Sequence, residues 1–134
     1  MLVLSGGTVV DADGKRDADV VVEDGRIERV GEALSEADQV VDVAGQYVAP
    51  GLIDTHVHVM MDGGPDPESN RDMTKYAAAY QTAANLENAL EAGVTTLRDL
   101  GSLESLAIDA REAVEAGQIR GPRVQACGQT VVMT

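Results

Sequence analysis

Short apolar runs alternate with segments of helical periodicity from residue 52 to residue 127. The runs Leu52–Val59, Val94–Asp99 and Arg123–Cys127 have the length and composition of strands. Helices are predicted between them over Met73–Ala92 and Leu103–Ala116, and each is followed by a glycine that can end it. Such alternation with short connections indicates a parallel sheet with right-handed crossovers. The sequence therefore predicts an α/β fold with the order β-α-β-α-β.

The predicted helices also have recognisable starts and inward faces. Asp72 and Ser102 are the polar residues expected to cap the first and second helix. The first strand is interrupted mainly by one aspartate and two histidines, so we expect it to be buried on both sides. In the first helix the residues at helical spacing, which should face a packing partner, are Tyr76, Tyr80, Ala83, Leu86 and Leu90.

The first fifty residues instead carry the pattern of short strands joined by turns. Asp24-Gly25 separates two β-type runs within Val20–Val30, which is a strong hairpin signal. Glu32–Asp38 is a polar excursion, and Pro50-Gly51 breaks the pattern before the α/β part. The sequence thus predicts a small antiparallel sheet at residues 1–50 and an α/β segment at residues 51–134. Further strand candidates are Leu2–Leu4, Thr8–Val10 and Val40–Val43.

Charge and composition exclude several classes of function. The formal charge is −13, from 23 acidic and 10 basic residues, which disfavours nucleic acid or an anionic membrane as partner. No apolar run reaches the roughly 18–20 residues of a membrane span, and the N-terminus lacks the basic region of a signal peptide. The single Cys127 fits a reducing cytoplasm, and the acidic excess is typical of proteins adapted to high salt, a halophilic trait.

Both histidines of the chain lie in Pro50–His58, at the end of the first predicted strand. Because side chains alternate along a strand, Asp54, His56 and His58 are expected on one face. Imidazole is a common ligand for zinc and related ions, so His56 and His58 are candidate metal ligands. Taken alone, two histidines at alternate positions of a strand are more often ordinary polar residues than metal ligands. Asp54 could bind a ligand imidazole or tie the strand to its surroundings, and Asp99 is interpreted as a cap for the following turn.

At Ala49–His58, Glu91–Gly101 and Gly117–Gly128 the sequence resembles the amidohydrolase superfamily. The last of these segments is most similar to the branch containing imidazolonepropionases and prolidase-like metallodipeptidases. The resemblance implies a (β/α)8 TIM barrel beside a β-sandwich that the N-terminal strands help to form. Since a complete barrel needs about 250 residues, residues 51–134 would be only its first β-α-β-α-β part, and the barrel is incomplete in this chain.

The resemblance also implies a chemistry. The His-X-His pair that matches His56 and His58 would bind a divalent metal, in most cases zinc, with one or two ions in the complete site. The metal lowers the pKa of bound water and polarises an amide carbonyl. Later strands would supply a lysine or glutamate, two more histidines and an aspartate that acts as base. No such residues are available here, so we assign no catalytic residue.

Three functions remain open on this basis. The leading hypothesis is the N-terminal part of a cytoplasmic, metal-dependent amidohydrolase that cleaves carbon–nitrogen bonds in small-molecule or cyclic amides. The second is a fragment of an Xaa-Pro-type metallodipeptidase, whose substrate would be a dipeptide. The third, from another class, is a non-catalytic, truncated β/α module whose role is assembly. The partners expected are the small substrate and either further copies of the chain or a completing chain.

Overall fold

The computed structural model describes residues 1–32, 37–65 and 72–130. The chain divides into two compact units, Met1–Pro50 and Gly51–Thr134. Most of the predicted polar excursion at Glu32–Asp38 lies outside the described residues. None of the helices in the described ranges combines the length and hydropathy needed to cross a membrane.

The described part of the N-terminal unit forms two small sheets, with strand orders β5-β4-β1-β6 and β3-β2-β7. Its core is built from valines of β1, β2 and β4, which are the smallest residues that fill a β core well. The strands are β1 Leu2–Ser5, β2 Thr8–Asp11, β3 Gly14–Asp17, β4 Asp19–Glu23, β5 Arg26–Gly31, β6 Gln39–Asp42 and β7 Tyr47–Val48.

The hairpin prediction is confirmed, but the prediction of a purely antiparallel sheet is wrong. Asp24 and Gly25 connect β4 to β5 with φ values of 49° and 72°, as a two-residue hairpin turn with both residues left-handed requires. However, β1 pairs with β6, and β2 pairs with β7, in parallel. Local turn signals reveal only antiparallel neighbours, because parallel strands need long connections.

The C-terminal unit has the predicted order of elements. These are β8 Leu52–Val57, α1 Lys75–Glu91, β9 Val94–Asp99, α2 Leu106–Glu115 and β10 Arg123–Ala126. The strands form a three-stranded sheet of order β10-β9-β8, and both pairings are parallel, which confirms that prediction. The carboxyl ends of the strands therefore lie at one edge of the sheet, where loops can bring polar groups together.

The core of this unit lies between the sheet and the two helices. Leu97 of β9 is in its middle, and small alanines on α2 allow that helix to approach the sheet closely. The buried members of the cluster are Val59, Leu86, Leu97, Ala107, Ala110 and Val124. The edge strand β8 contributes little, since Leu52 and Ile53 are 61% and 67% exposed. The expectation that this strand is buried on both sides is therefore wrong, because it has only one neighbouring strand.

Both predicted helix starts are shifted. Thr74, rather than Asp72, caps α1, and its hydroxyl accepts a hydrogen bond from Ala77 N at 3.3 Å. The second helix begins at Leu106 because Glu104 has a φ of 50°, a left-handed conformation that no α-helix contains. The Ser102 hydroxyl still accepts a hydrogen bond from the first turn, from Ala107 N at 3.0 Å.

The inward face of α1 agrees with the prediction at Leu86 but not at the two tyrosines. Tyr76 and Tyr80 are 72% and 80% exposed, whereas Ala78, Thr82 and Leu86 are buried. These three residues recur every four positions, so they form an equally regular stripe. Spacing could not choose between the two stripes, and packing selects the one with the smaller side chains.

Candidate metal centre

The two histidines lie at the carboxyl end of β8. His56 is the penultimate residue of the strand and His58 follows directly after it. The centroids of the two rings are 5.9 Å apart and the ring planes are inclined by 74°. Rings that share one ion have centroids no more than about 6.4 Å apart, since a metal–nitrogen bond of about 2.1 Å puts each centroid about 3.2 Å from the metal. The separation of the two rings is therefore below the upper limit for sharing one cation.

A backbone hydrogen bond determines which ring nitrogen of a neutral His58 carries the hydrogen. Its Nδ1 lies 2.9 Å from the carbonyl oxygen of Gly101. A carbonyl can only accept a hydrogen bond, so Nδ1 carries a hydrogen, and in the neutral ring the lone pair is then on Nε2. A second-shell bond of this kind orients imidazole ligands in metal sites and leaves the other nitrogen available. The donor chemistry at His58 thus fits a divalent cation.

The buried carboxylate of Asp99 binds the backbone close to both partners of the His58–Gly101 hydrogen bond. Asp99 is 0% exposed, at the end of β9. Its Oδ1 accepts a hydrogen bond from Val59 N at 3.1 Å, and its Oδ2 accepts one from Gly101 N at 3.0 Å. The second bond confirms the interpretation of Asp99 as a cap for the following turn. Both carboxylate oxygens are therefore engaged by backbone groups beside His58.

The strand that carries His56 is bulged. Asp54 pairs with Leu97 and Val57 pairs with Asp99, so two residues of β8 oppose Arg98 alone. These two residues are Thr55 and His56. The even alternation that placed Asp54, His56 and His58 on one face is interrupted at this point. The Asp54 carboxylate accepts a hydrogen bond from the backbone N–H of His56 at 3.0 Å, so it ties the strand rather than binding the ring.

A cleft of about 440 Å³ opens beside His58. Three methionines and a leucine give it a largely apolar wall, and Ser102 and Thr130 add hydroxyl groups. The apolar residues are Met60, Met61, Met73 and Leu103. A cleft of equal volume in the N-terminal unit is lined by glycines, carboxylates and one alanine, and it contains no imidazole or thiol. Of these two clefts, the one in the C-terminal unit is therefore the one that can bring a small molecule next to His58.

The described residues supply two candidate ligands and no more. Within residues 1–32, 37–65 and 72–130, no group of three or more His, Cys, Asp or Glu side chains is arranged to hold a metal ion. A tetrahedral zinc site takes four donors, so the two imidazoles would supply at most half of one, and the remaining positions need other donors.

Two features of the site were not predicted from the sequence. The Gly101 carbonyl was not identified as the partner of His58, because a backbone acceptor leaves no signal in residue type. Arg98 was not predicted to have a role either, although its Nε donates a hydrogen bond to the Thr55 carbonyl at 2.9 Å. A charged residue on the strand next to β8 was the available signal in the sequence. Its hydrogen bond to Thr55 depends on the bulge in β8, which the sequence does not reveal.

The chain is similar in sequence to known proteins. A sequence profile described as the amidohydrolase family matches residues 47–134. A D-hydantoinase of Ralstonia pickettii is 47% identical over 58 residues, which are 43% of this chain and 13% of that protein. An allantoinase of Escherichia coli O1:K1 / APEC is 32% identical over 123 residues, covering 90% of this chain and 27% of the relative.

A solved structure is similar over nearly the whole chain. A prolidase complexed with N-methylphosphonate-L-proline superposes with a TM-score of 0.83 at 31% sequence identity. The match covers 95% of this chain and 31% of that one. The chain thus spans roughly a quarter to a third of the length of the allantoinase and the prolidase.

Proposed function

Because the chain belongs to the amidohydrolase family, we propose that it is the N-terminal part of a metal-dependent hydrolase that cleaves carbon–nitrogen bonds. In this proposal His56 and His58 contribute two ligands to a divalent cation, with zinc as the preferred ion. The observation that carries it is the pair of rings 5.9 Å apart, one of which has its Nδ1 committed to a backbone carbonyl.

The chemistry of such a site follows from the cation and from the side chains around it. When bound, the cation makes water nucleophilic near neutral pH and polarises the carbonyl under attack. His58 offers Nε2 because its Nδ1–H donates to the Gly101 carbonyl. Asp99 accepts a hydrogen bond from the N–H of the same glycine, Gly101, and its second oxygen accepts one from Val59 N. We assign no general base, since the catalytic aspartate of the family would follow later strands.

The substrate we propose is a small amide, either cyclic or a dipeptide. The names of the relatives, D-hydantoinase, allantoinase and prolidase, support both forms. The mostly apolar wall of the cleft beside His58 supports an uncharged group next to the scissile bond. An Xaa-Pro dipeptide remains the alternative within the same chemistry.

We propose further that β8, β9 and β10, with α1 and α2, are the first part of a TIM barrel. The parallel order β10-β9-β8 and the similarity to the prolidase support this. The missing ligands and strands would come from a further segment or from another chain. A cytoplasmic location and adaptation to high salt belong to the same proposal, supported by the charge of −13 and the single cysteine.

One observation favours the alternative of a non-catalytic assembly module. The open edge strand β8 exposes Leu52 and Ile53, with 61% and 67% of their surfaces accessible. Exposed apolar residues on an unpaired edge are typical of a surface that pairs with another strand. In that case the chain would associate without binding metal.

Zinc binding by the chain distinguishes these functions. We would measure Zn²⁺ uptake by competition with a chromophoric chelator for the wild type and for a His56→Ala/His58→Ala double variant. The matched control is Arg123→Ala/Gln125→Ala, which removes two exposed side chains at the same spacing on β10. We expect uptake by the wild type and the control only. Equal uptake by all three proteins would contradict the ligand assignment, and uptake by none would favour the assembly module.

A further inference from the structure

The peptide group between Thr55 and His56 is held at both ends by side chains. Its carbonyl oxygen accepts a hydrogen bond from Arg98 Nε at 2.9 Å. Its N–H donates to Asp54 Oδ1 at 3.0 Å. The carbonyl and the N–H belong to one rigid plane, so the two side chains together fix the rotation of that plane.

The rotation of this plane decides where the His56 ring points. Turning a peptide plane changes ψ of the residue before it and φ of the residue after it, and φ of His56 sets the direction of its Cα–Cβ bond. The plane lies within the bulge, where two residues of β8 oppose Arg98 and regular strand pairing is lost. Bulges leave backbone groups without ladder partners and re-aim side chains beside active sites. Here side chains replace the missing ladder bonds.

We infer that Arg98 is a positioning residue for His56, with Asp54 as its counterpart at the other end of the same peptide. The inference rests on the metal site proposed above. Arg98 forms no ion pair with any described residue, so its bond to Thr55 is not the by-product of a salt bridge. The next residue, Asp99, holds the backbone around His58 from the buried side of the sheet. Two successive residues of β9 therefore position the two ligands from opposite faces.

The test compares Arg98→Met with Arg98→Lys and a matched control. The control is Arg123→Met, which removes an exposed arginine of the neighbouring strand that donates to the Thr96 hydroxyl at 3.3 Å. The chain contains only two histidines, so ¹⁵N-labelled histidine gives one set of amide and ring signals for each. We would record these spectra on the metal-free chain at alkaline pH, where imidazole is generally neutral, and measure the affinity for Zn²⁺ alone.

We expect Arg98→Met to shift the amide and ring signals of His56 while His58 keeps the pattern of a ring protonated at Nδ1. The affinity for Zn²⁺ should fall about 10- to 100-fold, the usual cost of losing a group that orients a ligand. Arg98→Lys should recover most of it, since an ammonium can still donate one hydrogen bond to the Thr55 carbonyl. Arg123→Met should match the wild type in both measurements.

Asp54 provides an independent second arm. Asp54→Asn keeps a carbonyl oxygen for the His56 N–H and should stay near the wild type, whereas Asp54→Ala should reproduce Arg98→Met. Unmoved His56 signals in both Arg98→Met and Asp54→Ala would overturn the inference, whatever the metal data. A wild-type chain that takes up no Zn²⁺ would instead refute the metal site, and the metal-free spectra would still decide whether Arg98 positions His56.

Discussion

Replacing the buried carboxylate of Asp99 by an amide tests how firmly the strand ends are held together. Asp99 has no exposed surface, and its two oxygens accept hydrogen bonds from Val59 N at 3.1 Å and from Gly101 N at 3.0 Å. In Asp99→Asn only one oxygen remains, and the amide NH₂ faces the other backbone donor. The substitution therefore removes one charge-assisted bond and leaves one buried N–H without an acceptor.

The expected loss follows from those two changes. A hydrogen bond to a charged group contributes about 1.5–3 kcal/mol, and an unsatisfied buried donor costs about 1–3 kcal/mol. The two figures partly describe the same loss, and a neutral amide is less costly to bury than a carboxylate. We therefore expect Asp99→Asn to lower the free energy of unfolding by about 2–4 kcal/mol, in a domain whose total stability is about 5–15 kcal/mol.

Urea unfolding followed by circular dichroism measures this loss. With an m value of about 2 kcal/mol per molar urea, the middle of the usual range, the midpoint should fall by roughly 1–2 M. Hydrogen exchange should also show that the Val59 and Gly101 amides lose protection. The control is Asp109→Asn on α2, an exposed carboxylate bound by Ser105 Oγ at 2.7 Å, where we expect less than about 1 kcal/mol. Equal midpoint shifts in the two variants, or unchanged protection of both amides, would refute the reasoning.

Three further predictions concern single positions. Gly101→Ala should lose about 2–4 kcal/mol in thermal unfolding, because the added Cβ would lie 1.9 Å from Thr130 Oγ1 at a φ of +138°. Thr82→Val should raise the free energy of unfolding, measured by urea denaturation, by up to about 1 kcal/mol, since the buried Thr82 hydroxyl has no hydrogen-bond partner among the described residues. Two hydrogen bonds from Arg16, at 3.0 and 2.8 Å, lower the pKa of Asp11. The folded pKa is below the unfolded one, so this contribution is present above the unfolded pKa and is lost as the pH falls through the folded pKa. Asp11→Asn should therefore make the urea midpoint fall less between about pH 5 and about pH 2.

The sequence predicted those strands and turns that are determined by residues close to them in the chain. The hairpin at Asp24-Gly25 follows from two residues that tolerate positive φ, and β9 and β10 follow from short β-type runs bounded by Gly93 and Gly121-Pro122. The helix α1 was predicted in its body but not in its start. Thr74 takes the cap because its hydroxyl reaches Ala77 N, and neither residue type nor spacing ranks it above Asp72.

Pairings between distant segments could not be predicted in the same way. The pairing of β1 with β6 matches Val3 with Val40, across 36 intervening residues, and no turn signal connects them. The inward face of α1 is a similar case, because Tyr76 and Ala78 both begin regular stripes. Leu86 belongs to both stripes, so only the packing of the folded unit, in which Ala78 and Thr82 are buried and the two tyrosines are exposed, decides between them.

At the candidate site, the sequence predicts which residues could bind a metal, and the structure shows which groups orient them. A His-X-His spacing on a regular strand would place both rings on one face, but strand pairing constrains the backbone only where its groups are bonded. In the bulge that constraint is absent, and Arg98 and Asp54 restore it at the peptide before His56. His58 lies after the end of the strand, where its ring is bound by the Gly101 carbonyl and Asp99 in turn binds the Gly101 N–H. The two proposed ligands, His56 and His58, are therefore oriented by side chains and loop groups, so their geometry depends on β9 and the following turn as much as on β8.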